Sequence, residues 1–188
     1  MKNIYLIHGW GGSPNSDWFP WLKAILEERG HSVASLNMPT PNEPDPITWP
    51  SYLETKIPRL DQNTYLIGHS IGCQAIMRYL AVQPEGTKIG GVIFVAPFIK
   101  LVRQESHKDD QIRLNWDSEP FNFEDFKATT QNIICIFSDD DPDVELKQNE
   151  PFFKTLGART IILKGQGHFS DDDGTTELPI VIEELNKI

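Results

Sequence analysis

Short runs of almost entirely apolar residues recur along the 188-residue chain, and segments that suit helices separate them. Because these runs do not alternate apolar and polar residues, they indicate strands that are buried on both faces of a parallel sheet. The alternation of strand and helix predicts a three-layer α/β/α sandwich around a doubly wound sheet, in a single domain spanning residues 1–188. The predicted strands are Ile4–His8, Ser32–Leu36, Thr64–Ile67, Gly91–Ala96, Ile133–Ser138 and Thr160–Leu163. The predicted helices are about Trp18–Arg29, Ile47–Leu60, Ile71–Val82, Val144–Leu156 and Glu177–Asn186.

Two long stretches show neither the apolar runs of strands nor the apolar repeat of helices, and they are predicted to be irregular. Asn37–Pro46 carries four prolines, and Phe98–Phe126 mixes charged residues with aromatic ones. Long connections without regular structure are often functional in compact domains.

The charge of the chain limits its partners. With a formal net charge of −10, the protein is not expected to bind nucleic acid or strongly anionic substrates. No apolar run approaches 18 residues, and we expect no membrane partner. The N-terminus lacks a signal-peptide pattern and both cysteines, Cys73 and Cys135, lie in predicted elements, which predicts a cytoplasmic protein with reduced thiols. The acidic run Asp171–Asp173 is interpreted as a solvated loop.

The third predicted strand runs directly into the motif Gly-x-Ser-x-Gly at residues 68–72, and a predicted helix follows at once. A serine between such a strand and helix sits on a sharp turn that presents its hydroxyl as a nucleophile. The motif alone occurs by chance in roughly one chain in twenty of this length. Its context therefore carries the prediction that Ser70 is a catalytic nucleophile.

A serine nucleophile needs a general base and an acid that orients the base. In hydrolases built on such sheets these follow the serine in the order acid, then histidine. The last predicted strand leads into a glycine-flanked His168, and the preceding strand leads into the loop Asp139–Asp143. Because ligands of open α/β sheets bind beyond the carboxyl ends of the strands, these loops are expected to meet Ser70. The spacing Ser138-x-x-Asp141-x-x-Val144 favours Asp141 as the acid, with Asp140 as the alternative.

The oxyanion hole is predicted from two backbone N–H groups, those of Trp10 and Ile71. Trp10 lies in the glycine-rich loop after the first strand, and Ile71 directly follows the nucleophile. The remaining histidines are assigned other roles: His8 and His69 as structural hydrogen-bonding residues, and His31 and His107 as surface residues. No metal-ligand spacing is present, so neither a metal nor another cofactor is expected.

Several segments together resemble the YdeN-like small serine hydrolases, a group related to retinoblastoma-binding protein nine within the α/β-hydrolase superfamily. The matching pieces are Ile4–Gly9, Trp18–Lys23, Leu36–Pro39, Thr64–Cys73, Ser138–Asp141, Gly167–Phe169 and Leu178–Val181. The resemblance covers essentially the whole chain. It implies a minimal α/β-hydrolase fold with six parallel strands in the order 2-1-3-4-5-6 and no large cap domain. It also implies Ser70 as nucleophile, Asp141 as acid and His168 as base.

One departure from the family pattern keeps Asp140 open as the acid: the family usually has a proline soon after the acid loop, whereas Glu145 follows Val144 here. The expected activity is hydrolysis of an ester, thioester or amide of a small molecule or short peptide, with an esterase favoured over a peptidase. The alternatives are a non-catalytic protein-binding module and an acyltransferase or lyase with the same triad. Candidates for the substrate pocket are Trp10, Phe98, Trp116 and Phe121. The sequence does not indicate an oligomeric state.

Overall fold

The structure is a computed structural model that describes residues 1–102, 104 and 106–188. Six parallel strands form one sheet in the order β2-β1-β3-β4-β5-β6, which confirms the predicted fold class and strand order. The strands are β1 (Asn3–Ile7), β2 (Ser32–Leu36), β3 (Thr64–His69), β4 (Gly91–Val95), β5 (Ile133–Ser138) and β6 (Arg159–Leu163).

The strand register explains why the site lies at one edge of the sheet. Every residue of β3, β4 and β5 is buried, so helices cover both faces of the central sheet. In the parallel ladder Ile7 pairs with Gly68, and His69 pairs with Val95. The carboxyl ends of β1, β3 and β4 are therefore level with one another. The loops that follow them meet at that edge.

Seven helices occur in the described part of the chain: α1 (Phe19–Glu28), α2 (Thr48–Lys56), α3 (Ile71–Ala81), α4 (His107–Ser118), α5 (Phe123–Ala128), α6 (Leu146–Thr155) and α7 (Pro179–Leu185). The predicted helix Ile47–Leu60 was too long at its C-terminus. Its last turn is lost because Ile57 is extended and precedes Pro58, and a proline disfavours helical geometry in the residue before it. No described helix has the length and apolar character that a bilayer crossing requires.

The prediction that Phe98–Phe126 is irregular was wrong, because α4 and much of α5 lie within it. The hydroxyl of Ser106 caps α4 by accepting a hydrogen bond from the N–H of Asp109. Asn122 caps α5 in the same way. Helix α4 is rich in charge and buries few of its residues, so its sequence shows no clear apolar period. The capping residues were the signal that sequence reasoning missed.

Gly72 brings the start of α3 close to β1. A Cβ atom at this position would overlap the carbonyl oxygen of Ile7. Helix propensity alone would favour alanine over glycine by about 1 kcal/mol. We expect the opposite sign, a loss of about 3 kcal/mol in the free energy of unfolding for Gly72→Ala, because backbone atoms of a central strand cannot move aside. Urea unfolding followed by circular dichroism measures this.

Gly157→Ala is the matched control for Gly72→Ala. Gly157 has a φ of 80° and open space around it, so alanine there meets no steric overlap. We expect it to lower the free energy of unfolding only by the cost of a left-handed backbone for a residue with a side chain, about 1–2 kcal/mol. If Gly72→Ala stabilised the protein, the close approach to β1 would not constrain this position.

Candidate active site

Ser70 stands on a strained turn between β3 and α3. Its φ of 51° and ψ of −120° are unusual for a residue with a side chain. The turn is held on both sides, because the N–H of Ser70 donates to Val95 O at 2.9 Å and its carbonyl accepts from the N–H of Cys73 at 2.9 Å. The predicted strand–turn–helix context of the motif is therefore present.

His168 and Asp141 form the acid–base contact of the site. Nδ1 of His168 lies 2.9 and 3.0 Å from the two carboxylate oxygens of Asp141. Burial by itself would lower the pKa of His168. The hydrogen bond and the charge of Asp141, together with the charges of Asp143 and Asp173, outweigh this and raise the pKa above its ordinary value. The Asp141 side chain is only 2% exposed, which strengthens its attraction to an imidazolium.

Asp139 and Asp140, which precede Asp141 in its loop, position the loop that carries His168. Oδ1 of Asp140 accepts from the Ser138 hydroxyl at 2.6 Å and from the N–H of Gly167 at 3.0 Å. These bonds lower the pKa of Asp140. Asp139 accepts from the N–H of Gly165 at 2.9 Å. The contacts of Asp140 are those of a loop anchor, and the carboxylate that reaches His168 is that of Asp141.

Asp173 anchors the same loop from its other side. Its Oδ2 accepts from the N–H of His168 at 2.8 Å and from the Ser170 hydroxyl at 2.7 Å. A Cβ atom at Gly167, which has a φ of 52°, would overlap the Asp173 carboxylate, so only glycine fits there. The exposure of all three residues of Asp171–Asp173 agrees with the interpretation of this run as a solvated loop. The structure adds that Asp173 organises the loop that carries His168.

Ser70 and His168 line one cavity of about 570 Å³ at the carboxyl edge of the sheet. Within the described residues no hydrogen bond joins the Ser70 hydroxyl to an imidazole nitrogen of His168. Contacts between a nucleophile and its base are often long in the absence of substrate and shorten in the reacting complex. Asp141 and His168 of the predicted triad are thus hydrogen-bonded to each other, and Ser70 lines the same cavity as His168.

The predicted oxyanion donors lie on the two loops that flank Ser70. Ile71 is the first residue of α3, where a backbone N–H has no intrahelical acceptor. Trp10 lines the cavity, and its indole N–H donates to Asn42 O at 3.2 Å. Neither backbone N–H donates to an acceptor in the described part of the chain.

His8 and His69 make the structural hydrogen bonds that were predicted for them. His8 Nε2 accepts from the N–H of Met38, so its Nδ1 carries the proton and donates to Gly9 O at 2.8 Å. His69 Nε2 lies 2.7 Å from the carbonyl oxygen of His168 and must donate to it. Burial, reinforced by the charge of His168, lowers the pKa of His69 to about 3. His69 is therefore neutral at physiological pH, with a lone pair on Nδ1.

Of the four predicted pocket residues, only Trp10 lines the cavity that holds Ser70. Phe98 and Trp116 lie in the core, where the Trp116 indole N–H donates to Pro44 O. Phe121 lines a second cavity of about 340 Å³, where the guanidinium carbon of Arg78 lies 4.7 Å from its ring centre. The assignment of Phe98, Trp116 and Phe121 to the substrate pocket is corrected on these grounds. Apolar character alone does not separate a pocket wall from a core.

One group of side chains in the described residues could hold a cation: Asp141, Asp143 and His168 offer ligand atoms within 4.8 Å of one another. Two of these three side chains already form the hydrogen bond described above. A metal there would compete with that bond.

Sequence reasoning missed Asp17, which lies in the cavity wall. The backbone N–H groups of Asp17 and Asp171 each donate to the other residue's carboxylate at 2.9 Å, and these two bonds join loops 154 positions apart. Asp17 has a φ of 56°, a left-handed conformation that aspartate tolerates better than most residues. No sequence pattern predicts a contact between two residues that lie so far apart in the chain.

Comparison with known proteins places this geometry in a family. Residues 4–187 match the family described as serine hydrolase. The chain is 33% identical over 184 residues to the YdeN protein of Bacillus subtilis, named as a hydrolase, and the match covers 98% of this chain and 94% of that protein. A match to the serine hydrolase RBBP9 of Rattus norvegicus shows 28% identity over 167 residues, covering 88% and 85% of the two chains.

Solved structures agree with the sequence matches. The crystal structure of the ydeN gene product of B. subtilis superposes with a TM-score of 0.90 and covers 100% of this chain and 98% of its own. Est1E from Butyrivibrio proteoclasticus shares the fold at 16% identity, with a TM-score of 0.69 and coverage of 98% and 88%. The strained turn at Ser70 and the level strand ends agree with these matches. Because the family match covers nearly the whole chain, this protein belongs to the serine hydrolase family.

Proposed function

We propose that the protein is a carboxylesterase-like serine hydrolase that cleaves its substrate through an acyl-enzyme formed on Ser70. The observation that carries this proposal is the contact between Asp141 and His168, because His168 lines the same cavity as Ser70. In this scheme the Nδ1–H group of His168 donates a hydrogen bond to the Asp141 carboxylate, so the lone pair of the ring lies on Nε2. Nε2 is then the general base for the Ser70 hydroxyl.

The reaction has two steps. The Ser70 oxygen attacks the carbonyl carbon while His168 takes its proton, and the N–H groups of Trp10 and Ile71 stabilise the resulting oxyanion. Collapse of this intermediate transfers the proton from His168 to the leaving alcohol, thiol or amine. Water then attacks the acyl-enzyme with His168 again as base, which releases the carboxylic acid and restores Ser70.

A fluorophosphonate probe tests this assignment directly. We expect the wild-type protein to be phosphonylated stoichiometrically, with the adduct located on Ser70 by peptide mass spectrometry, because only an activated serine attacks such a probe. Prior denaturation is the control and should abolish labelling. An unlabelled native protein, or an adduct on another serine, would contradict the proposal.

The reaction should depend on pH through His168. A protonated His168 cannot accept the Ser70 proton, and its pKa is raised. We therefore expect kcat/KM to be low in acid and to rise tenfold per pH unit up to a midpoint above the ordinary imidazole value of about 6.5. A pH profile with an uncharged p-nitrophenyl ester measures this midpoint. A midpoint below pH 6 would contradict the raised pKa.

Product analysis separates hydrolysis from acyl transfer. With water and an alcohol both present, a hydrolase yields mainly the free acid, whereas an acyltransferase yields mainly the new ester. A non-catalytic binding module has no need of a hydrogen-bonded His168–Asp141 pair beside a strained serine, and this observation favours catalysis.

A further inference from the structure

The wall of the Ser70 cavity is strongly acidic. The described residues that line it include five aspartates and no lysine or arginine. The five aspartates are Asp17, Asp109, Asp143, Asp171 and Asp172.

None of the five forms an ion pair with a lysine or arginine among the residues that the structure describes. By contrast, two neighbouring acidic residues on α4, Asp110 and Asp117, form ion pairs with Arg113, at 2.7 and 2.6 Å. Asp109 lies on the same helix. Clefts lined by one sign of charge focus the field and raise the local concentration of oppositely charged ligands.

Asp17 and His69 add a more specific feature to this wall. Oδ1 of Asp17 accepts from the N–H of Asp171, whereas Oδ2 has no hydrogen-bond donor and faces Nδ1 of His69 at 3.8 Å. His69 is only 3% exposed, and its Nδ1 has no partner because the ring proton is on Nε2. Two acceptors thus face each other in the cavity wall without a donor for either.

We propose that the cavity selects acyl substrates that carry a positively charged amine, and that Asp17 is the specificity-determining residue that binds this group. The inference rests on the proposed function, since it assigns a substrate class to the same site. An ammonium group would supply both the positive charge that the five carboxylates attract and the N–H donor that Oδ2 of Asp17 lacks. Asp171 and Asp172 lie beside Asp17 and add to the attraction.

Two isosteric pairs of esters test the proposal. The p-nitrophenyl ester of ε-aminocaproic acid and that of heptanoic acid differ only by an ammonium in place of a methyl group, at the end of the acyl chain. Acetylthiocholine and its carbon isostere, in which C(CH3)3 replaces N(CH3)3⁺, place a charge without an N–H donor in the leaving group, so this pair tests the attraction of the charge alone. At low ionic strength we expect kcat/KM for the charged member to exceed that for the neutral one by roughly 10- to 100-fold in at least one pair.

Variants locate the effect. Asp17→Asn keeps an oxygen for the N–H of Asp171 and suits the left-handed backbone, and it should lower the charged-to-neutral ratio several-fold. Asp172→Lys, at an exposed position, should lower that ratio even if Asp17→Asn folds poorly. Glu183→Gln is the matched control, since it removes one negative charge from an exposed site on α7 outside the cavity wall, and it should leave the ratio unchanged.

The outcomes are distinct. A charged-to-neutral ratio that is high, falls with added NaCl and falls in the cavity variants supports the proposal. A ratio near one in both pairs, or a high ratio that Asp17→Asn and Asp172→Lys leave unchanged, overturns it while the proposed hydrolase stands. Failure of the wild-type protein to cleave any ester or to react with the fluorophosphonate would instead overturn the proposed function.

Discussion

Replacement of Ser70 by alanine is expected to lower kcat for ester hydrolysis by roughly 10⁵- to 10⁶-fold, because the acyl-enzyme cannot form without the hydroxyl. The fold should persist, since that hydroxyl has no hydrogen-bond partner among the described residues and the turn is held by backbone bonds to Val95 and Cys73. The measurement is steady-state hydrolysis of an uncharged p-nitrophenyl ester, with thermal unfolding recorded in parallel.

Two further variants sharpen the Ser70 experiment. Ser51→Ala removes an exposed serine on α2 and should retain full activity. Ser70→Gly should be as inactive as Ser70→Ala yet more stable than it by about 1 kcal/mol, because glycine adopts the positive φ of this turn without strain. Substantial activity in either Ser70 variant would remove Ser70 from the mechanism.

Replacement of Asp141 by asparagine is expected to lower kcat by roughly 10⁴-fold, since an amide can stabilise the wrong tautomer of His168 and does not stabilise the imidazolium. The pKa of His168 should fall at the same time, because both the hydrogen bond and the charge of Asp141 raise it. The acid limb of the pH profile should therefore move to lower pH even as the plateau drops. A purely structural role for Asp141 would not produce this shift.

Asp140→Asn is the matched control for Asp141→Asn, since it removes the charge of the adjacent carboxylate. Asp140 accepts from Ser138 and Gly167 and not from His168, so we expect a loss of less than tenfold in kcat and an unmoved acid limb. If the two variants exchanged these behaviours, Asp140 would be the acid and the contact between Asp141 and His168 would be a resting-state arrangement only.

The sheet could be predicted from the sequence because its strands are short and largely apolar and the three central ones are fully buried. The strand order was predicted from the family resemblance. Ser70 and His168 could be predicted as candidate site residues because they follow strand ends, where the loops of an open sheet meet. Helix α4 was missed because its polar surface hides the apolar period, although Ser106 is a good N-cap. Asp17 was missed for a different reason: its role arises from contacts with His69 and Asp171, which are distant in sequence.

The hydrogen bonds between Asp17 and Asp171 join two residues that are 154 positions apart in the sequence, so translation makes one of them long before the other. A nascent chain therefore holds Ser70 long before His168, Asp171 and Asp172 are synthesised. Among the described residues, the last one that lines the cavity is Asp172, so the cavity stays incomplete until that residue has been synthesised. A translation product that stops short of β6 would carry Ser70 without His168, and under the proposed mechanism it would have no hydrolase activity.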